Sequence, residues 1–412
     1  MNCVRKWWSS LVAKKRYFWS NKGPGSDCFL WQDVLLLIGG IQSELTLKWN
    51  CERYIRFLVS CLFFLQSFFI FVVLCSTLQT NRDEMFKVVV EVLKFSAFLV
   101  AGCKLLLIKL HRKSITNIRT YINDGQTTTG DNSYDRLELT NFKQRSMTMI
   151  RFIYGLIFID MALLSIPNDI TDMAFDIRSD IQPFMSHARN IYRLLFITLL
   201  PVGFLPKFFS SMATVGTLLL GMQANFKVLA NRFHSILSQP FVINGTDWEM
   251  INHELKDTVK HHLEFWRHFK ALKSLVGETF FLVHYFSIMS IGALCYICQD
   301  IGVNFLSFVV LATLAMFLVE YYMFCHFVDS FQDIANCIGE HIFQIAILMP
   351  HNRKNHSHYI GFRTALMIIW LNTRRGVSMD CMGLFNISTV AFLHVLNIAY
   401  TVLTFLIQMS QL

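Results

Sequence analysis

Residues 385–409 read FNISTVAFLHVLNIAYTVLTFLIQM, an apolar run that ends close to the C-terminal Leu412. The run contains no Asp, Glu, Lys or Arg, and a helix of this length extends about 37 Å at 1.5 Å per residue. The hydrocarbon core of a bilayer is about 30 Å thick. The stretch therefore predicts a helix that crosses a membrane.

Six earlier stretches have a similar composition. The third of them is the shortest, contains Asp160 and is followed by Pro167. Because a helical span needs about 20 mostly apolar residues, the pattern predicts an all-α integral membrane protein with seven transmembrane helices. The six earlier predicted spans are 54–78, 88–110, 152–166, 191–220, 275–298 and 305–331.

Composition and charge favour a membrane protein with a cytosolic N-terminus. The 412 residues are 54% hydrophobic and 16% charged, against about 25% charged residues in soluble domains. The formal net charge is +9, and Lys and Arg are concentrated in the long segments between alternate spans. The positive-inside rule then predicts a cytosolic N-terminus and an extracellular C-terminus. The basic residues mark the cytosolic face, so we expect no nucleic-acid partner.

This orientation divides the chain into four parts. Residues 1–53 form a cytosolic N-terminal segment that is expected to lie at the membrane interface, and residues 54–331 contain the first six spans. Apolar residues recur at helical spacing in 246–274 and in 332–383. That spacing predicts helices that extend from the fifth and sixth spans into the cytosol and pack there. The final span lies in residues 385–412.

The sequence contains no pattern typical of an enzyme or of a cofactor site. It has no P-loop, no G-x-G-x-x-G and no G-x-S-x-G. Histidines cluster in 253–268 and 351–358, but no H-E-x-x-H motif is present to place two of them on one helix face for zinc. We interpret both clusters as a solvated cytosolic surface and expect no catalytic residue, no cofactor and no metal site.

Charged residues inside apolar spans are informative because an unpaired charge in lipid is costly. Lys104, Lys207 and Asp329 lie toward the cytosolic ends of their spans, so we expect their side chains to extend to the membrane surface. The side chains of Asp160 and Glu320 are not expected to reach the membrane surface in this way. They are the candidates for a polar cavity or for a bond between two helices.

Aromatic residues on four predicted spans indicate a binding pocket. Apolar side chains that converge between helices form sites for small uncharged molecules. For any one of the 39 phenylalanines, ordinary packing or lipid contact is the commoner explanation. The candidates, with their small and aliphatic neighbours, are Phe95, Phe98, Leu99, Gly155, Phe158, Ile159, Ala162, Phe204, Phe208, Phe308, Phe317 and Tyr321.

Several motifs in the second half of the chain carry a family resemblance through their order and spacing. They are GETFFLVHYFS from Gly277, FCHFVDSF from Phe324, RRGV from Arg374, GLFNIS from Gly383 and AYTVLTFL from Ala399. Together they resemble the insect odorant receptors, which are seven-span, ligand-gated cation channels unrelated to G-protein-coupled receptors. Thr401 stands where that family usually has Ser.

The resemblance implies an odorant-tuning subunit that pairs with co-receptor subunits in a heterotetramer. The complex would lie in the plasma membrane of sensory neuron dendrites, in contact with membrane lipid. A small volatile odorant would bind among spans two, three, four and six and open a central, non-selective cation pore. The cytosolic helices would form the anchor domain that holds the subunits together.

The resemblance also places residues of the final span in the pore. Phe405 falls at the hydrophobic gate, where an aliphatic side chain is usual, and Gln408 and Met409 fall at the outer, ion-contacting constriction. Thr401 is included with them as a pore residue. Phe405, Gln408 and Met409 are three and four residues apart and therefore lie on one helix face.

Three other functions stay open at this point. Gustatory-type ligand-gated channels end in a motif of Thr-Tyr, five apolar residues and Gln-Phe, from which Val402 and Met409 depart. A G-protein-coupled receptor is expected to carry D-R-Y after its third span and N-P-x-x-Y in its seventh, and neither is present. A secondary transporter is expected to show an inverted repeat and charged groups on broken helices, which the sequence lacks.

Overall fold

The computed structural model describes residues 29–41, 52–80, 84–124, 129, 131–165, 194–237, 248–348 and 356–410. In this part of the chain ten α-helices and one π-helical turn, Leu194–Thr198, make up the fold. The helices are α1 (Leu30–Ile38), α2 (Glu52–Thr80), α3 (Met85–Leu110), α4 (Arg112–Asp124), α5 (Asn132–Ser165), α6 (Leu200–Leu237), α7 (Trp248–Ile301), α8 (Phe305–Leu348), α9 (His356–Gly376) and α10 (Thr389–Ser410).

Six helices in the described residues are long and apolar enough to cross a membrane, namely α2, α5, α6, α7, α8 and α10. Helix α3 has a comparable length, but Glu91, Lys94 and Lys104 interrupt its apolar sequence. Lys94 forms an ion pair with Glu91 one turn away, and Lys104 is paired with another helix. Since buried charges are tolerated when they are paired, α3 is compatible with the predicted second span. The predicted all-helical membrane fold is confirmed.

Helices α7 and α8 continue far beyond their apolar segments. They contain 54 and 44 residues, which corresponds to about 80 and 65 Å at 1.5 Å per residue. Both lengths are roughly twice the thickness of a bilayer core or more. The structure is helical where the sequence predicted extensions of the fifth and sixth spans, whereas the cytosolic position of these extensions stays a prediction.

Helix α6 forms the centre of the bundle. In its most apolar 18-residue segment, 89% of the residues are buried, whereas the share in the corresponding segment of α10 is 17%. It packs against α1, α3, α5, α7 and α8, and Leu218 and Phe226 on it are fully buried. The bundle is therefore organised around α6, and α10 lies at its periphery.

Helix α10 begins at Thr389, four residues later than predicted, because residues 377–388 fold into a turn. An isolated β-bridge between Asp380 and Asn386 closes this turn. The turn lies so close to α7 that a Cβ atom on Gly277 would be 2.7 Å from the carbonyl oxygen of Asp380. Glycine at position 277 is therefore what allows the two segments to meet.

Helix α5 begins at Asn132, well before the predicted third span at 152–166. Asp131 caps it, since its Oδ1 accepts the backbone N–H groups of Ser133 at 2.9 Å and of Tyr134 at 3.3 Å. Its first turns are polar, so the apolar pattern did not reveal them. By length and composition, α5 is long and apolar enough to cross a membrane.

Helix α1 belongs to the predicted N-terminal segment 1–53. It lies inside the bundle. It packs against α6, and its Asp33 accepts two hydrogen bonds, at 2.7 and 2.8 Å, from the guanidinium of Arg119 on α4. Residues 30–38 are therefore packed within the bundle and do not form a free surface segment, whereas their position relative to the membrane stays a prediction. Residues 1–28 and 42–51 lie outside the described residues.

Candidate functional site

Aromatic rings from three helices converge inside the bundle. Phe98 of α3 stacks on Phe204 of α6 with ring centroids 4.9 Å apart, and Phe204 lies 5.5 Å from Phe208. Phe208 in turn lies 5.4 Å from Phe317 of α8. These separations are typical of favourable ring contacts. Four of the predicted ligand residues thus form one group, which we call the aromatic cluster.

Sequence reasoning missed two rings that complete the aromatic cluster. Phe63 of α2 stacks on Phe98 at 5.3 Å, and Phe286 of α7 lies 5.1 Å from Phe317. Nothing in the local sequence distinguishes Phe286 from the other phenylalanines of its span. For Phe63 the available signal was its spacing with Gln66, because a polar residue in an apolar span marks the inward face of the helix.

Tyr321 lies one turn after Phe317 of the aromatic cluster on α8 and is fully buried. Its hydroxyl lies 2.9 Å from Nδ1 of His284 on α7. Its ring lies 4.9 Å from Phe280 of α7 and 5.9 Å from Phe392 of α10. Tyr321 therefore connects α8 to both α7 and α10.

A buried ion pair contacts the aromatic cluster. Nζ of Lys104 lies 2.7 and 2.8 Å from the two carboxylate oxygens of Glu320 and 3.7 Å from the centre of the Phe208 ring. The prediction that Lys104 extends to the membrane surface is wrong, because its side chain is fully buried. Of the two alternatives left open for Glu320, the structure shows the bond to a second helix, which supplies the partner that a buried charge requires.

Two further charged residues lie inside the bundle. Nζ of Lys207 donates to the carbonyl oxygens of Gly203 at 3.1 Å and Val59 at 3.3 Å and lies 4.9 Å from the centre of the Phe63 ring. Lys207 is almost fully buried, so the expectation that it reaches the surface is also wrong. Asp160 is buried as well, and among the described residues its Oδ1 has no hydrogen-bond partner.

The remaining predicted ligand residues lie apart from the aromatic cluster. Phe95 packs on Phe71 of α2, with ring centroids 5.6 Å apart, and Gly155 is half-buried on α5. Five candidates are exposed within the part of the chain that the structure describes. They are Leu99, Phe158, Ile159, Ala162 and Phe308.

The four predicted pore residues lie on an uncovered part of α10. The opposite face is buried against α7 through Val395 and Ala399. There a Cβ atom on Gly292 would lie 3.0 Å from the carbonyl oxygen of Ala399. Within the part of the chain that the structure describes, helix α10 therefore packs on one side only. The uncovered residues are Thr401, Phe405, Gln408 and Met409.

The extension of α7 is joined to α9 by a buried histidine. Nε2 of His262 accepts the indole N–H of Trp266 at 2.8 Å and lies 2.9 Å from Oγ1 of Thr373. Burial lowers the pKa of His262 to about 4. The interpretation of these histidines as a solvated surface is therefore wrong for His262. Among the described residues no group of three or more His, Cys, Asp or Glu side chains is placed to hold a metal ion.

We expect acid to destabilise the fold through His262. Its folded pKa of about 4 lies below the ordinary value of about 6.5, so the unfolded chain binds the proton first as the pH falls. The contribution of His262 to the free energy of unfolding is fully present above about pH 6.5 and is lost progressively as the pH falls toward 4. The loss between pH 7 and pH 5 is about 2 kcal/mol, which thermal unfolding of the solubilised protein measures.

The matched variant is His262→Gln, which keeps an acceptor for the Trp266 indole but does not titrate. Its unfolding temperature is expected to fall less than that of the native protein between pH 7 and pH 5. Equal pH dependence in the two proteins would show that His262 is not the group responsible.

A groove of about 670 Å³ lies between the extension of α8 and α9. Phe343 and Ile347 on its wall are 66% and 63% exposed. Arg363, Arg374 and Glu340 add charged groups. Exposed apolar surface surrounded by polar groups is typical of a site for contact with another protein.

The fold and these sites define a multi-pass helical membrane protein with a buried aromatic cluster. The family described as 7tm Odorant receptor matches residues 85–400. This match covers more than half of the sequence, and the chain belongs to the odorant receptor family, whose members are ion channels and not enzymes. The resemblance inferred from the motifs of the second half is confirmed.

Two solved structures share the fold. The insect olfactory receptor OR5 from Machilis hrabei aligns with a TM-score of 0.67 and 13% identity, over 92% of this chain and 96% of that chain. The same receptor in complex with eugenol aligns with a TM-score of 0.69 and 12% identity, over 92% and 97%. No curated protein sequence matches the chain significantly.

Proposed function

We propose that this chain is the odorant-tuning subunit of a ligand-gated, non-selective cation channel. The observation that carries the proposal is the uncovered face of α10. Thr401 and Gln408 are seven residues apart and share that face, and polar groups are unfavourable where a helix faces lipid. A helix with one side fixed to its own subunit and a partly polar side left bare is suited to line a pore.

The side chains on this face have the chemistry that a cation pore requires. A ring of apolar side chains at Phe405 stops ions by expelling water, and amides at Gln408 contact cations without strong selection. Phe405 and Gln408 are three residues apart, so the gate and the constriction lie within one turn of each other. Met409 and Thr401 line the same passage on either side.

We place the odorant at the aromatic cluster. Its rings come from α2, α3, α6, α7 and α8, and Tyr321 with His284 provides one polar group at the edge. A mostly apolar site with few polar groups favours a small, uncharged organic molecule. The complex of the related receptor with eugenol supports a ligand of this kind.

We propose that co-receptor subunits contact the two uncovered surfaces, the α10 face and the groove beside α9, and complete a heterotetramer. The extensions of α7 and α8 with α9 then form a cytosolic anchor. In this arrangement the N-terminus is cytosolic, the C-terminus is extracellular, and the complex lies in the plasma membrane of sensory neuron dendrites. Membrane lipid covers exposed apolar residues such as Phe64 and Phe68 of α2.

Co-expression with an insect odorant co-receptor tests the function. A panel of volatile compounds is applied while membrane current is recorded. We expect ligand-evoked, non-selective cation current that depends on this chain. Current that is identical with and without the chain contradicts the proposal. Staining of an N-terminal epitope tag on intact cells would contradict the orientation and favour a G-protein-coupled receptor.

We expect Phe405→Ala to raise the current that flows without ligand, because it removes an apolar barrier from the gate. The measurement is basal current per surface receptor in the co-expressed complex. The matched control is Tyr400→Leu, since Tyr400 is 67% exposed but is rotated by about 100° from the pore face. Equal basal currents in the two variants would exclude Phe405 from the gate.

A further inference from the structure

The N-terminal end of α10 is held by a carboxylate from another helix. Oδ2 of Asp329, on α8, accepts the backbone N–H of Thr389 at 2.8 Å and its hydroxyl at 2.5 Å. Thr389 is the first residue of α10. The N–H groups of a first helical turn lack partners in their own helix, and the helix dipole favours negative charge there. Asp329 therefore acts as an anionic cap that α8 supplies to α10.

The local cap of α10 is weaker than the one from α8. Oγ of Ser388 accepts the N–H of Ala391 at 3.4 Å, which is beyond the usual range for such a bond. Asp329 is thus the closer acceptor at this helix end. Removing it takes the closer of these two side-chain acceptors away from the first turn of α10.

The turn before α10 is fixed to a different helix. Lys273 on α7 lies 3.1 Å from the carboxylate of Asp380, and Gly277 allows the turn to contact α7 directly. The start of α10 is therefore held between α7, through the turn, and α8, through Asp329. A movement of α8 relative to α7 must displace the first turn of α10 or break the bond to Asp329.

Helix α8 also contributes Phe317 to the aromatic cluster and carries Tyr321 next to it. Tyr321 precedes Asp329 by eight residues, which is about 12 Å along a continuous helix, and Phe317 lies one turn further away. A ligand that shifts these two side chains shifts the same rigid helix that carries Asp329. The cap is thus mechanically connected to the proposed ligand site.

We infer that Asp329 is a positioning residue that couples α8 to the pore helix, so that ligand binding at the aromatic cluster changes the position of the N-terminal end of α10. Asp329 contacts neither ligand nor permeating ion in this role. The inference rests on the proposed function, because it requires that α10 lines the pore.

The test is single-channel recording of the complete complex with the co-receptor, comparing Asp329→Ala with Asp333→Ala. Asp333 is exposed one turn later on the same helix and serves as the matched control. We expect Asp329→Ala to lower the open probability at saturating odorant about fivefold, the scale of a lost helix cap. Single-channel conductance and reversal potential are expected to stay unchanged, and Asp333→Ala is expected to behave as the native protein.

Two milder variants keep the test decisive if Asp329→Ala does not reach the surface. Asp329→Asn retains an acceptor oxygen without the charge and is expected to restore part of the open probability. Thr389→Val removes only the hydroxyl bond and is expected to reduce it slightly.

A native open probability in channels carrying Asp329→Ala or Asp329→Asn overturns the inference, even when the number of surface receptors falls. If the native complex conducts and the Asp329 variants behave in the same way as it does, the proposed function stands without this inference. If the native complex gives no odorant-evoked current, the proposed function itself is wrong.

Discussion

Glu320→Gln is expected to remove most of the receptor from the cell surface. The substitution leaves the Lys104 ammonium fully buried without the carboxylate that now lies 2.7 and 2.8 Å from it. Removing one partner of a buried ion pair costs about 3–5 kcal/mol, a large part of the roughly 5–15 kcal/mol that stabilises a folded protein. Surface biotinylation and thermal unfolding of the solubilised receptor measure the loss.

A double variant separates loss of the charge balance from loss of packing. Lys104→Met combined with Glu320→Gln removes both charges, and we expect it to recover most of the surface receptor, because neutral replacements of a buried pair are often well tolerated. Glu84→Gln, which breaks the exposed pair with Lys87, is the control and is expected to have little effect. Surface levels for Glu320→Gln equal to those for Glu84→Gln would contradict the prediction.

Phe208→Leu is expected to raise the odorant concentration for half-maximal current by up to about tenfold. Phe208 contacts the rings of Phe204, Phe286 and Phe317, so a ligand in the proposed site would pack against the same ring. One favourable aromatic pair contributes about 0.5–1.5 kcal/mol, and the substitution removes this contact. Leucine is preferred to alanine because a buried Phe→Ala change costs about 3–5 kcal/mol of folding stability. Concentration–response curves, normalised to surface receptor, provide the measurement.

The control for Phe208→Leu is the same substitution at Phe158. Both residues were predicted to contact ligand, but Phe158 is 65% exposed and Phe208 is fully buried. A site at the aromatic cluster requires a large shift for Phe208→Leu and a small one for Phe158→Leu. A larger shift at Phe158 would move the site to the outer face of α5.

The spans could be predicted because a bilayer sets the length of an apolar helix, and this length can be read directly from the chain. The start of α5 could not be predicted, because its polar first turns are stabilised by capping at Asp131 and lie outside the apolar pattern. The turn at 377–388 was also missed. It depends on contact with Gly277 on α7, about a hundred residues earlier, and local sequence carries no record of such contacts.

The candidate site shows the same limit. Phe98, Phe204, Phe208 and Phe317 were predicted from the density of aromatic residues on separate spans, but residue type does not reveal which way a side chain faces. Phe158 was therefore included and Phe286 was not. The position of Lys104 near the end of its predicted span suggested that its side chain reaches the membrane surface. Its partner Glu320 on α8 is 216 positions away in the chain, so the local sequence could not reveal the pair.

The enclosure of α6 by its own chain has a consequence for how such subunits diversify. Substitutions around Phe204 and Phe208 alter an interior that the chain itself encloses, while the exposed surfaces on α10 and beside α9 stay unchanged. Under the proposed function, the part of the molecule that recognises chemicals is therefore separate from the part that recognises a shared partner. A set of related receptors with this arrangement could change ligand specificity in one subunit at a time and keep the same mode of assembly.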